Sequence, residues 1–248
     1  MPKVSQRWIY VVALLLAVAI VITALNFDKL TVKDLMTPVL SLFATFFGAT
    51  FAFRLNEEKE RKQLQKVRCE SLNRALFVLF RQTNAIVQIY QDFKKHNSPL
   101  ERGFNLPAIR SPSYDDLKHD FAGLDFLLEF SGAQLLVELS IEQERFHQAL
   151  VSLTVRNDFY IAEVQPALSK AGLHGKSIKS DLSGLLGIRV CDGAIQGATI
   201  AWEHVSACNK TLPSMMKALH CQAKILFPEH KFLSVDAGTG SNFDVEGT

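Results

Sequence analysis

The chain lacks the short motifs that mark common enzyme chemistries. It has no G-x-x-x-x-G-K-[ST] loop for phosphates and no H-E-x-x-H pair for zinc. It also has no G-x-S-x-G nucleophile turn and no C-x-x-C. Its 248 residues hold only four cysteines, Cys69, Cys191, Cys208 and Cys221, too few for a disulfide scaffold. Charge of one sign is lacking too. The 27 Lys and Arg face 25 Asp and Glu, and a formal +2 gives no footing for bulk nucleic-acid binding. No segment alternates apolar and polar residues at period two, so strands are not expected. Only two apolar runs approach membrane length, which excludes a polytopic transporter.

Those two runs are the strongest positive signal. Residues 8–25 (WIYVVALLLAVAIVITAL) and 35–53 (LMTPVLSLFATFFGATFAF) carry no charge. As helices they are roughly 27–29 Å long, about the thickness of a bilayer core. The nine-residue connector 26–34 predicts an antiparallel hairpin, and Pro38 falls in the first turn of its second helix, where a missing N–H costs little. The first run is too long for a signal-peptide core, and no small-x-small site follows it before Asn26. The densest positive flank is Arg54, Lys59, Arg61, Lys62, Lys66 and Arg68. It predicts a membrane-surface contact with both termini cytoplasmic. Within the second run, Ala44, Gly48 and Ala52 recur every fourth residue, with Ser41, Thr45 and Ala49 alongside. Small residues at this spacing let helices approach closely in lipid. They suit packing within one hairpin or self-association into a homo-oligomer.

The first 53 residues hold 4 basic and 2 acidic side chains, which leaves 23 of each in the remainder. That remainder reads as all-α. Residues 54–96 contain no Gly or Pro. Leu72, Leu76, Leu79, Ile86, Tyr90 and Phe93 are spaced by fours and threes, with Thr83 at the missing step. This predicts a helical stalk, or a shorter bundle helix starting near Leu64. A loop is expected over 97–112. Ser113 and Asp116 then read as a capping box for a helix carrying Leu117, Phe121, Leu124 and Leu128. The next helix, with Leu135, Leu139, Phe146, Leu150 and Leu153, should break at Asn157-Asp158 or Pro166. Further helices are expected near 188–209 and 213–227, the latter capped by Thr211 or Ser214. The organisation is therefore a hairpin (1–53), a stalk (54–96), a cytoplasmic helical domain (97–235) and a disordered tail (236–248).

Two constellations could hold a metal. His204 and Cys208 are i,i+4, with His220 and Cys221 further on, but the spacing matches no common finger. Asp116-x-x-His119 and Glu144-x-x-His147 would be level in an antiparallel hairpin. His119, however, is expected on the solvated face, away from the Leu117/Phe121/Leu124 stripe. No metal, no cofactor and no enzyme activity are predicted. Twelve of the 18 Phe lie beyond residue 53, several beside loops (Phe104, Phe227, Phe232). An exposed cluster of them would mark a protein interface.

The hairpin (8–25, 35–53), the charged stretch RLNEEKERKQLQKVR (54–68) and a helical domain without catalytic motif together resemble the two-transmembrane effectors of bacterial abortive-infection systems, retron-associated ones in particular. The resemblance is one of architecture over the whole chain. It implies an inner-membrane protein held silent by a reverse transcriptase with its RNA–DNA hybrid, which disrupts the membrane once released. A membrane-tethered scaffold that recruits a cytosolic protein shares the same outline.

Overall fold

The computed structural model describes residues 32–130, 132–173 and 175–234, with side chains from Ser41 onward. The first apolar run, most of the connector and the tail lie outside these residues. Every element among the described residues is helical and no strand occurs among them, which places the protein in the all-α class. Among the described residues six α-helices follow in order: α1 (Val32–Lys94), α2 (Pro99–Phe104), α3 (Ala133–Phe159), α4 (Gln165–Lys170), α5 (Ser183–Leu186) and α6 (Ile188–Leu226). A π-helical turn, Tyr160–Val164, joins α3 to α4. The chain divides into two compact units, Met1–Leu64 and Gln65–Thr248, with the division inside α1.

The second unit is built on the predicted stripe. Leu72, Leu76, Leu79, Ile86 and Phe93 are fully buried, and Tyr90 is half-buried. They share one core with Leu139, Phe146 and Leu153 of α3 and with Val205, Leu212 and Leu219 of α6. Residues 65–94 are thus a bundle helix of this unit, with a 3-4 apolar spacing that suits packing on neighbouring helices. A smaller cluster joins Phe104, Val164, Leu168, Ile178, Cys191 and Ala194.

Several expectations are corrected. The helix expected to open at Ser113 is replaced by two 3-10 segments, Asp115–Leu117 and Ala122–Glu129. Propagation would need the carbonyls of Asp116 and Leu117 as i,i+4 acceptors. Both are taken from outside: Arg81 Nη1 donates to Asp116 O (3.1 Å) and Gln82 Nε2 to Leu117 O (2.6 Å). The loop at 97–112 contains the short helix α2. Ser98 caps it by accepting from the Glu101 N–H, and the Glu101 carboxylate accepts from the Asn97 N–H. The α-helix α3 ends at Phe159, one residue after Asn157-Asp158, but the chain stays helical through the π turn into α4, whose first turn accommodates Pro166. Pro213 lies inside a continuous α6 and does not start a new helix. The buried row Ala194, Ala198, Ala201, Val205, Cys208, Leu212, Met215, Leu219 and Ala223 runs through it without a gap. That burial outweighs the roughly 3 kcal/mol an interior proline costs.

Candidate functional site

The sequence-predicted residues of the second apolar run lie in the first part of α1. A helix turns about 100° per residue. Phe43, Phe46, Phe47, Phe51 and Phe53 therefore fall on one half of its circumference. Ser41, Ala44, Thr45, Gly48, Ala49 and Ala52 fall on the other. Every one of these side chains is exposed, Phe53 by 77%. The Thr45 hydroxyl donates to Ser41 O (2.9 Å) and the Thr50 hydroxyl to Phe46 O (2.8 Å), so neither needs a partner in the surroundings. A Cβ added at Gly48 would meet nothing within 4 Å among the described residues. Among those residues no helix is long and apolar enough to cross a membrane; the described side chains of this run cover only 41–53.

The basic flank is not uniform. Arg54, Lys59 and Arg61 are exposed. Lys62 pairs with Glu58 (2.8 Å), and Lys66 is 3.9 Å from Glu70. The Lys62 contact, by hydrogen bond and charge, holds the Glu58 carboxyl below its usual range. Arg68 is drawn into the second unit instead. It pairs with Glu129 (2.8 Å) while its guanidinium lies over the rings of Phe126 and Phe130.

In the second unit, polar side chains pin the long connection 105–121 to the helices. Arg156 is 3% exposed, and no carboxylate pairs with it among the described residues. Its guanidinium donates to Pro107 O (2.8 Å), Arg102 O (3.1 Å) and Leu106 O, and stacks over Tyr160. Burial lowers its pKa to about 10, so it remains charged at neutral pH. Asn157 beside it donates to Ile109 O (2.6 Å) and accepts from Ile109 N (3.2 Å). Asn105 treats Ile178 in the same two-way manner, at 3.0 and 2.8 Å. Further along, the His119 N–H donates to the Gln143 side chain.

His119 is the main correction among the candidate ligands. It was expected in solvent, and it is 6% exposed, with neither ring nitrogen hydrogen-bonded among the described residues. Desolvation lowers its pKa to about 4, which keeps the ring neutral. Its proposed partner His147 stacks on Tyr114 at 4.2 Å. Among the described residues, no three His, Cys, Asp or Glu side chains gather as a metal site. Cys69, Cys191 and Cys208 are buried and Cys221 is exposed. Burial, with Glu142 close by, raises the Cys208 thiol to about 12.

Sequence reasoning missed the groove between α3 and α6, about 410 Å³ in volume. Glu142 sits in it, 3% exposed, accepting from the Thr211 hydroxyl and pairing with Arg145 at 3.0 Å. A carboxylate inside an otherwise apolar heptad was the available signal. Comparison with known protein families, curated proteins and solved structures finds no match.

Proposed function

We propose that this chain is a membrane-disrupting effector of the two-span abortive-infection type, seated in a bacterial inner membrane with both termini cytoplasmic. It is held silent by a complex of reverse transcriptase and RNA–DNA hybrid. Once released, it self-associates through the second apolar run and permeabilises the bilayer. The observation that carries this reading is the two-faced helix at 41–53. It presents a half of exposed phenylalanines suited to lipid, and opposite it a half of small residues suited to another helix. Left in water, such a surface costs free energy in proportion to its apolar area.

The test is dye uptake by cells expressing the full chain. The wild type admits the dye, and Gly48→Leu abolishes uptake at equal protein level. A Cβ at Gly48 meets no described neighbour within 4 Å, and an unchanged far-ultraviolet circular dichroism spectrum of the variant separates lost association from lost folding. Unchanged uptake by Gly48→Leu would remove the small-residue face from the mechanism.

The second reading is a membrane-tethered scaffold. It is favoured by apolar side chains left in solvent on the second unit, such as Leu185 (61% exposed) and Ile188 (70%). Exchanging the hairpin for an unrelated two-span anchor separates the two: a scaffold keeps its function and an effector loses it.

A further inference from the structure

Helix α3 buries one face in the core through Leu139, Phe146 and Leu153. Its outer face carries a second pattern. Gln134, Val137, Ile141, Glu144, Gln148, Val151, Val155 and Asp158 are spaced alternately by three and four, and all eight are exposed. Val137 is 53% exposed and Val155 61%. This is the a/d seam of a coiled coil, left without a partner among the described residues.

The seam reads the same in both directions. Folding it about position 146 sets Val137 opposite Val155 and Ile141 opposite Val151. The same operation sets Glu144 opposite Gln148 and Gln134 opposite Asp158. Two pairs are apolar with apolar; the other two are carboxylate with amide. No position meets a mismatch. A self-complementary patch of this kind is what a two-fold axis requires, because each contact is made twice with the roles exchanged.

We propose that α3 is the two-fold interface of a homodimer, in which a second copy of the chain packs antiparallel along 134–158. A parallel copy would set Glu144 against Glu144 and Asp158 against Asp158, two like-charge pairs on the seam. The amides have capacity to spare. Gln148 Nε2 already donates to Glu144 (2.8 Å) and Gln134 Nε2 to Glu138 (3.0 Å), and each retains a second N–H to cross the interface. Arg145 lies near the two-fold axis and faces its own copy, but its charge is already paired with Glu142 at 3.0 Å. The groove beside Ile141 and Met215 leaves room for the partner's Val151. The contact runs about 36 Å at 1.5 Å per residue. This proposal does not depend on the membrane-disrupting role.

The test uses the full-length chain in its membrane, with Cys221→Ser to remove the exposed thiol. Val137→Cys and Val155→Cys are made in separate copies, expressed alone and together, and treated with a short bifunctional thiol cross-linker. Covalent dimer is expected only when both variants are present. Ile141→Asp, at a position exposed in the protomer, should return it to background. Cross-linking of Val137→Cys with itself would overturn the antiparallel register. No cross-linking in helical, soluble-fraction-free membrane protein would overturn the interface. Loss of the cross-link in a Gly48→Leu background would also overturn it, assigning association to the other helix.

Discussion

Arg156 shows how a single buried charge can organise a loop. Its guanidinium takes three backbone carbonyls, of Arg102, Leu106 and Pro107, that no helix or strand satisfies. Arg156→Leu leaves all three without that donor and should cost about 3 kcal/mol or more in urea unfolding. Arg156→Lys should recover little, because one ammonium cannot reproduce the planar fork. His119 makes the opposite case, a buried ring with nothing to charge against. Its pKa is about 4 in the fold against 6.5 for the free side chain. The folded state therefore disfavours the imidazolium. The contribution is whole above pH 6.5 and declines as pH falls through 6.5 towards 4. The loss amounts to about 3 kcal/mol. Thermal unfolding followed from pH 7 to pH 4 should show it, and His119→Phe should flatten the slope in that window. Neither role was legible. Arg156-Asn157-Asp158 reads as a polar helix end, and only the distant carbonyls of 102–109 reveal what the first two hold.

At the scale of elements, periodicity carried far where packing and propensity agreed. The stripe from Leu72 to Phe93 lies in the core because its 3-4 spacing and the helix period coincide. The Ser98-Pro99-Leu100-Glu101 start of α2 was equally written in the residues, yet it sat inside a proline-rich stretch that reads as loop. Segment 113–131 failed for a different reason. Its local pattern is helical, but Arg81 and Gln82 compete for the carbonyls that a helix would use. Pro213 failed in the other direction, since continuous burial along α6 carries the helix through it. Pro213→Ala should restore one N–H for the carbonyl of Asn209. It should stabilise the second unit by about 1–3 kcal/mol, read as an increased denaturant midpoint with an unchanged slope.

At the scale of the whole molecule, the chain divides after Leu64 into two compact units. The second unit has a core of its own, drawn from α1, α3 and α6. A fragment beginning at Gln65 should therefore unfold in one cooperative transition, seen alike by far- and near-ultraviolet circular dichroism; a non-cooperative melt would show that the core needs the preceding residues. The amino-acid order by itself determined the all-α class, the stripe of α1, the uncharged runs and the two-faced composition of 41–53. These rest on local spacing, which a helix converts directly into faces. The tertiary structure alone decided that His119 is buried, that 113–130 forms 3-10 segments and not one α-helix, and that Arg156 and Asn157 hold a distant loop. It alone decided, too, that the outer seam of α3 stays exposed. Those outcomes depend on which groups approach from far along the chain, and burial and hydrogen-bond competition between such groups have no local signature.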